Sequence, residues 1–350
     1  MTALLEVRKA TKVFGGGRLF RKKTGMVALG EFSLKIETEP PSITAIVGES
    51  GSGKTTLARL LLGLAAPTTG EVLYKGKELQ SLNNEDRLQF LHDVQVILQD
   101  PYEVYNPFYK VDHVLSTPIQ KLHLAKPGAE TRALMEETLN AVGLRPEETL
   151  GRHPHQLSGG QRQRIMVARA LLIRPKLIIA DEPVSMVDAS LRATILESLR
   201  QLHIRFGISM LYITHDLTTA YQISKNIIVL YRGEVAEVGD VDLVVKKPLH
   251  PYTQLLIQSI PAADPSHPWD RHEIVADPAI ARRAASAVGC KFADRCPHVM
   301  DMCRNETPPL FRTDRGRAAA CFLYRDSAAL EADGLDELMA TPATNTENAA

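Results

Sequence analysis

The sequence predicts an α/β fold with a mostly parallel central sheet, and three apolar runs carry this prediction. The first run, Ile43–Val47, is followed by a glycine-rich turn and then by leucines at helical spacing. The runs at residues 177–180 and 210–214 are nearly continuous in apolar residues, as expected of parallel strands that are buried on both faces. Helical patterns separate these runs, and such alternation is typical of a parallel sheet covered by helices.

The composition fits one large domain with an extension, or two domains. The chain has 350 residues, of which 44% are hydrophobic, and its 41 basic residues equal its 41 acidic residues. A net charge of zero argues against a general nucleic-acid binder, which would usually be basic. We find no apolar leader at the N-terminus and no apolar run long enough to span a bilayer. We therefore expect a cytoplasmic protein that reaches a membrane only through partners.

The remaining elements follow from the same periodicity. Strands are expected at residues 4–13 and 26–36, with a basic loop at 15–23 between them. The helix after the glycine-rich turn should bury Leu57, Leu60, Leu61 and Leu64. A helical pattern then predicts a helical subdomain at about 100–165.

Residues 48–55, Gly-Glu-Ser-Gly-Ser-Gly-Lys-Thr, have the composition and context of a phosphate-binding loop, or P-loop. The glycines let successive backbone amides surround a phosphate, and the following helix N-terminus adds partial positive charge. Lys54 can reach the β- and γ-phosphates of a nucleotide, and the Thr55 hydroxyl can coordinate Mg²⁺. The alternative is a turn that only connects two elements. The residues predicted to bind nucleotide here are Gly48, Glu49, Ser50, Gly51, Ser52, Gly53, Lys54, Thr55 and Thr56.

Two adjacent carboxylates, Asp181 and Glu182, follow the apolar run at 177–180. The carboxyl ends of parallel strands are where open α/β sheets bind ligands. Asp181 can hold Mg²⁺, directly or through water, and Glu182 can orient and deprotonate an attacking water. The alternative is a pair of helix-capping acids, but a P-loop in the same chain favours the catalytic interpretation.

A second glycine-containing turn, Leu157-Ser158-Gly159-Gly160-Gln161, opens an amphipathic helix. Ser158 is a good N-cap residue, and capping alone would explain it. The two glycines also expose backbone amides beside a helix N-terminus, which makes this turn a second candidate anion site. Two such sites in one chain suggest that each serves a different nucleotide.

Together these motifs make residues 1–255 resemble the nucleotide-binding domain of ATP-binding cassette (ABC) transporters. In that family, residues 48–55 correspond to the Walker A motif, 177–181 to Walker B and 157–161 to the signature sequence. The resemblance implies ATP and Mg²⁺ as cofactors. It makes Glu182 the catalytic glutamate, Gln99 a Q-loop glutamine that also binds Mg²⁺, and His215 the switch histidine.

The resemblance assigns three further positions. Ser185 and Asp188 fit the D-loop, although Met186-Val187 departs from its usual Ala-Leu centre, a difference that concerns communication across a dimer. Phe14 lies where the family has an aromatic that stacks on adenine. Alone, Phe14 would more often be a core residue.

The resemblance also implies an assembly at the cytoplasmic face of the inner membrane. In it, a head-to-tail pair of ATPases binds each ATP between the Walker A motif of one subunit and the signature sequence of the other. Two transmembrane permease subunits and an extracytoplasmic solute-binding protein would complete an importer, with no nucleic acid involved. Two alternatives are a soluble ABC ATPase that acts on nucleic acid or ribosomes and a non-enzymatic regulator. The single cassette argues against the first, and intact Lys54, Glu182 and His215 argue against the second.

Within the subdomain at 100–165, four apolar side chains are candidates for contact with the permease, and ordinary loop packing is the alternative. They are Tyr102, Tyr105, Pro107 and Phe108.

The C-terminal part resembles the oligopeptide, dipeptide and nickel importer ATPases, through residues 250–256 and 289–297. Peptides are then the expected cargo, with nickel or oligosaccharides as alternatives. The expected domains are the cassette at 1–255, an extension at 256–330, and a disordered tail at 331–350.

All four cysteines of the chain lie in the extension, at Cys290, Cys296, Cys303 and Cys321, with the spacing C-x5-C-x6-C-x17-C. Clustered cysteines in a reducing compartment favour metal binding over disulfides. The spacing matches neither a common zinc site nor a ferredoxin. A [4Fe–4S] cluster, which the resembled subfamily suggests, a zinc ion and free thiols remain the three alternatives.

Overall fold

A computed structural model of the protein describes residues 3–15, 25–100, 105–260, 288–330 and 334–340. Most of the predicted basic loop, Tyr102, the proline-rich stretch at 261–287 and residues 341–350 lie outside these ranges. The strands are β1 Leu5–Phe14, β2 Met26–Ile36, β3 Ile43–Val47, β4 Thr69–Tyr74, β5 Lys77–Glu78, β6 Val94–Ile97, β7 Leu177–Asp181, β8 Ser209–Thr214, β9 Asn226–Tyr231, β10 Glu234–Asp240, β11 Phe311–Asp314 and β12 Arg317–Ala319. The helices are α1 Lys54–Leu61, α2 Asn84–Asp93, α3 Asp112–Lys121, α4 Ala129–Ala141, α5 Pro146–Thr149, α6 Gly159–Leu171, α7 Ala189–Phe206, α8 Leu217–Ile223, α9 Val241–Lys246, α10 Pro251–Gln258, α11 Asp301–Asn305 and α12 Leu335–Ala340.

An eight-stranded sheet with the order β11-β12-β10-β9-β3-β8-β7-β6 forms the centre of the fold. The five strands from β9 to β6 are parallel to one another, and every residue of β7, β8 and β9 is buried. Alternate side chains of β7 belong to two different hydrophobic clusters, with Ile178 in one and Ile179 in the other. These observations confirm the predicted α/β fold with a mostly parallel sheet.

Helix α1 begins in the glycine-rich turn, as predicted, and buries Leu57, Leu60 and Leu61 completely. The prediction that Leu64 continues its buried face was wrong, because the helix ends at Leu61 and Leu64 is 68% exposed. Gly63 adopts a left-handed conformation (φ 66°), which ends the helix and turns the chain away from the core.

A second, antiparallel sheet has the order β2-β1-β4-β5 and is built from the N-terminal part of the chain. It contains the two strands predicted at residues 4–13 and 26–36. The predicted helical region contains α3, α4, α5 and α6. Helix α4 turns Thr138 and Leu139 towards the core, in agreement with its periodicity. Within the part of the chain that is described, each helix is too short or too polar to cross a lipid bilayer.

The C-terminal part continues the central sheet. Strand β12 pairs with β10 through Glu237–Ala319 and Gly239–Arg317, and β11 pairs with β12. Helix α10 also runs across residue 255, the expected end of the cassette. Backbone hydrogen bonds between β12 and β10 therefore join the extension to the sheet of the cassette.

The prediction of a disordered tail at 331–350 was wrong for residues 335–340, which form α12. Leu335 and Leu338 are 5% and 1% exposed and join the hydrophobic cluster under the N-terminal sheet. The Asn226 side-chain amide also donates a hydrogen bond to the Met339 carbonyl at 3.1 Å. Composition alone could not reveal this, because the apolar surface that receives the two leucines belongs to distant segments.

We expect Leu338→Ala to lower the free energy of unfolding by about 2 kcal/mol, because it removes a fully buried side chain and leaves a cavity. Urea denaturation of the full chain would measure the change. Leu88→Ala, at an exposed position of α2, is the matched control and should change stability by less than about 0.5 kcal/mol. Equal stabilities of the two variants would contradict the docking of α12.

Candidate nucleotide-binding site

The glycine-rich turn at residues 48–55 connects β3 to α1, and two of its glycines are required by close backbone contacts. A Cβ on Gly48 would lie 2.2 Å from the Leu230 carbonyl oxygen. A Cβ on Gly53, which has φ 105°, would lie 2.6 Å from the Ala28 carbonyl oxygen. The turn therefore packs directly against the backbone of neighbouring segments, and a side chain at either position would clash with a carbonyl oxygen.

Lys54 lies inside this turn and is only 5% exposed. Its Nζ donates hydrogen bonds to the carbonyl oxygens of Gly48 at 2.7 Å and Glu49 at 3.0 Å. Burial lowers the pKa of Lys54, and the carboxylates of Glu182, Asp181 and Glu49 oppose that shift. The ammonium group is therefore held among acceptors that phosphate oxygens could replace.

Asp181 ends β7 and is 8% exposed. Burial and then the neighbouring Glu182 raise the pKa of Asp181, while Lys54 and a hydrogen bond from Thr55 counteract the rise. Its Oδ1 has no hydrogen-bond partner among the described residues. A buried carboxylate oxygen beside a threonine hydroxyl is the kind of oxygen pair that Mg²⁺ prefers, so Asp181 and Thr55 fit the predicted metal site.

Glu182 and His215 form a pair, with His215 Nδ1 3.1 Å from Glu182 Oε1. The Glu182 backbone has φ 47°, a left-handed conformation that costs free energy in a non-glycine residue. A hydrogen bond from the Glu182 amide to the Ile213 carbonyl oxygen at 2.8 Å stabilises this conformation. Such strain is concentrated at functional sites, where it fixes the direction of a side chain.

One cleft of about 690 Å³ brings most of the predicted residues together. It is lined by the P-loop and by Phe14, Gln99, Glu182 and His215. The volume is within the range of small-molecule sites. Phe14 is 41% exposed, and Lys12 Nζ lies 5.3 Å from the centre of its ring. An exposed aromatic beside the predicted phosphate-binding loop offers a flat surface on which a nucleotide base could stack.

The glycine-containing turn at residues 157–161, called the signature turn below, does not line this cleft. Ser158 caps α6, because its Oγ accepts a hydrogen bond from the Gln161 amide at 3.2 Å and its amide donates to Gln161 Oε1 at 2.9 Å. A Cβ on Gly159 would meet open space, with no described atom within 4 Å, whereas a Cβ on Gly160 would meet Leu191. The second candidate anion site is thus separate from the first.

The predicted D-loop residues Ser185 and Asp188 lie in the segment that connects β7 to α7. The Ser185 hydroxyl donates to the Glu182 carbonyl at 3.0 Å, and Asp188 is the N-cap residue of α7. Met186, which departs from the family pattern, is 62% exposed.

Two contacts to the P-loop were missed by sequence reasoning. The Tyr252 hydroxyl accepts a hydrogen bond from the Glu49 amide at 2.8 Å. Arg295 binds the Glu49 carboxylate with both terminal nitrogens, at 3.0 and 3.1 Å. Tyr252 and Arg295 are 203 and 246 residues away from Glu49 along the chain, so no local pattern could have indicated them.

The four cysteines surround one small cavity, with Cys303 and Cys321 buried and Cys290 and Cys296 half-buried. Burial raises the pKa of the Cys290 and Cys296 thiols and raises that of Cys321 to about 11. Within the described ranges, no group of three or more His, Cys, Asp or Glu side chains is arranged to hold a metal ion. The thiols share a cavity without forming a ready-made ligand set.

The predicted docking surface needs a correction at Tyr105. This side chain is 7% exposed, and its hydroxyl donates to the Arg162 carbonyl at 2.8 Å, so it belongs to the core. Phe108 is 87% exposed and Tyr109 is 52% exposed. The apolar surface in this region is therefore centred on Phe108.

Comparison with known proteins shows the family to which the chain belongs. The family model described as "ABC transporter" matches residues 31–185, and that described as "Oligopeptide/dipeptide transporter, C-terminal region" matches residues 236–303. A solved ATP-binding cassette, MJ0796, is 28% identical with a TM-score of 0.59, over 68% of this chain and 98% of that one. The chain is thus an ATPase of the ABC family, a class that binds ATP and Mg²⁺.

Curated relatives define the branch. The chain is 36% identical to the di/tripeptide transport ATP-binding protein DppF of Pseudomonas aeruginosa, over 92% of this chain and 98% of that protein. It is also 36% identical to the oligopeptide transport ATP-binding protein AppF of Bacillus subtilis, over 92% and 97% respectively. The chain therefore belongs to the family of oligopeptide and dipeptide transport ATP-binding proteins.

We expect Glu182→Gln to keep ATP binding and to reduce turnover by at least about 100-fold, because the variant cannot take a proton from water. A dimer that retains ATP should accumulate, and size-exclusion chromatography with phosphate release would measure both effects. Glu197→Gln, at an exposed position of α7, is the control and should hydrolyse ATP normally. Near-normal turnover in Glu182→Gln would contradict the assignment.

Proposed function

We propose that this protein is the ATP-hydrolysing subunit of an importer for oligopeptides or dipeptides. The observation that carries the proposal is the cleft that brings Lys54, Gln99, Glu182 and His215 together around the P-loop. The names of the relatives above favour peptides over nickel or oligosaccharides as the cargo. The cargo itself would be recognised by partners, since the cleft is the nucleotide site.

In this proposal each residue of the cleft has a distinct role. Phe14 stacks on adenine, and the backbone amides of residues 48–56 together with Lys54 hold the phosphates. Thr55, Asp181 and Gln99 would hold Mg²⁺, which neutralises phosphate charge when bound. Glu182 accepts a proton from the attacking water through its carboxylate, and His215 keeps that carboxylate oriented from 3.1 Å away.

The working form is proposed to be a head-to-tail dimer with a second ATPase subunit, identical or homologous. Support comes from the separation of the signature turn from the cleft, since Ser158, Gly159, Gly160 and Gln161 lie where another subunit could use them. Asp188 and the exposed Met186 would lie near this interface. The similar cassette MJ0796 has been solved as a dimer bound to ADP and phosphate.

The dimer is proposed to sit at the cytoplasmic face of the inner membrane, beneath two transmembrane permease subunits served by an extracytoplasmic solute-binding protein. We propose the cassette at 1–255 as the motor and residues 256–330 as an extension joined to its sheet. Exposed Phe108 and Tyr109, which follow the Q-loop residue Gln99 in the chain, support a permease contact at this surface.

We also propose that the four cysteines hold a metal centre, either a [4Fe–4S] cluster or zinc. Their common cavity supports this, and so does the chemistry of thiolates, which are the usual ligands of both. Because the described side chains do not form a ligand set, binding would require the thiols to turn towards one point. No step of ATP hydrolysis depends on this centre.

Co-expression with the permease subunits tests the proposed function. The chain should co-purify with them, and vesicles containing the complex should take up peptide only with ATP and the solute-binding protein. Phe108→Asp should abolish most uptake while ATPase activity of the isolated chain stays unchanged, because a charge is introduced into an apolar contact. Leu64→Asp, at another exposed apolar position, is the control. Normal uptake by Phe108→Asp would place the docking surface elsewhere.

Protein expressed and purified without oxygen tests the metal centre. A [4Fe–4S] cluster would give about four iron atoms per chain and a brown colour that fades in air. Zinc would give about one metal ion and no colour. Cys296→Ser should reduce the metal content while leaving nucleotide binding at Lys54 and Thr55 intact. Metal-free protein with four reactive thiols after unfolding would refute the proposal.

A further inference from the structure

A salt bridge joins the C-terminal extension to the P-loop. The two terminal nitrogens of Arg295 lie 3.0 and 3.1 Å from the two carboxylate oxygens of Glu49. Such a parallel, two-bond geometry is stronger and more directional than a single contact. The Arg295 and Glu49 side chains are 25% and 39% exposed, so water weakens the attraction but leaves its direction.

Arg295 is itself held in place by neighbouring rings. Its guanidinium carbon lies 5.5 Å from the centre of the Phe292 ring and 5.9 Å from that of Tyr231. Although burial alone disfavours the charged form, hydrogen bonds to Glu49 and Tyr231 raise the pKa of Arg295 above its ordinary value. The guanidinium therefore reaches Glu49 as a fixed cation.

The same loop residue is held from a second direction. The Tyr252 hydroxyl accepts the hydrogen bond from the Glu49 amide, and the centres of the Tyr252 and Tyr231 rings are 4.4 Å apart. The backbone of Glu49 is thus fixed by Tyr252 and its side chain by Arg295. Both partners come from outside the P-loop.

The charge of Glu49 makes the contact with Arg295 relevant to nucleotide binding. Glu49 lines the cleft and is close enough to Lys54 to affect its pKa. An uncompensated carboxylate at this point would repel the phosphates of a nucleotide and compete for Lys54. Arg295 supplies the compensating positive charge through its two hydrogen bonds to the Glu49 carboxylate.

We propose that Arg295 is a positioning residue for ATP binding, which fixes and neutralises Glu49 and so connects the C-terminal extension to the nucleotide. This inference rests on the proposed role of residues 48–55 as the ATP-binding loop. It assigns to the extension a part in nucleotide affinity, in addition to its place in the sheet.

Binding of a non-hydrolysable ATP analogue with Mg²⁺ to the full chain, measured by calorimetry, tests the proposal. Arg295→Met should weaken affinity about fivefold, the equivalent of about 1 kcal/mol for a partly exposed charge pair. Arg295→Lys should fall between Arg295→Met and the wild type, because it keeps the charge but loses the two-bond geometry. Arg304→Met is the control, since Arg304 lies in the same extension and pairs with Asp294 at 3.5 Å.

The double variant Glu49→Gln with Arg295→Met separates charge compensation from a general effect on folding. Its affinity should return to within about twofold of the wild type, because no carboxylate remains to be neutralised. Affinity as weak as that of Arg295→Met alone would overturn the proposal, as would unchanged affinity in Arg295→Met. If Arg295→Met fails to fold in a thermal scan, Arg295→Lys gives the decision: weakened affinity supports the proposal, and wild-type affinity overturns it.

Lys54→Ala distinguishes failure of this inference from failure of the site assignment. If Lys54→Ala loses affinity while Arg295→Met keeps it, residues 48–55 still bind the nucleotide and only the role of Arg295 is wrong. If Lys54→Ala binds the analogue like the wild type, the P-loop assignment itself fails.

Discussion

The register of three parallel strands is the constraint on which the site depends. Val47 at the end of β3 pairs with Thr214 at the end of β8, and Asp181 at the end of β7 pairs with Ile213. Because the three strands run in the same direction and end at the same level, the residues that follow them emerge side by side. Gly48, Glu182 and His215 are thus brought to one edge of the sheet by backbone hydrogen bonds alone.

The electrostatics of the site follow from the arrangement of these residues at one edge of the sheet. Lys54 lies buried beside Asp181 and Glu182, so the cation and the two carboxylates share an environment that disfavours charge. Lys54 offsets part of the desolvation cost of Asp181, whereas the neighbouring Glu182 adds to it, and among the described residues nothing donates to the buried Oδ1 of Asp181. A site with this balance is suited to a ligand that brings both negative phosphates and a metal cation.

The C-terminal part is continuous with this arrangement. Strands β11 and β12 lengthen the central sheet, and the Glu237 carboxylate, fully buried, accepts hydrogen bonds from the Leu249 and His250 amides. His250 in turn caps α10 through its Nδ1, which accepts from the Tyr252 amide at 3.0 Å. This chain of contacts fixes Tyr252, whose hydroxyl reaches the P-loop, so the extension and the nucleotide site share one support.

The sequence by itself determined the α/β class, the glycine-rich turn between β3 and α1, the carboxylate pair Asp181-Glu182 at the end of a buried strand, and the serine-capped turn that begins α6. Each of these depends on a short segment in which residue type and spacing are enough: glycines where backbone amides must surround a phosphate, apolar runs where a strand is buried on both faces, and serine where a helix begins. Tertiary structure alone decided that Tyr105 is buried, that Leu335 and Leu338 dock as a helix, and that Arg295 reaches Glu49. These outcomes depend on surfaces and charges supplied by segments that are distant in the chain, and local composition carries no information about them.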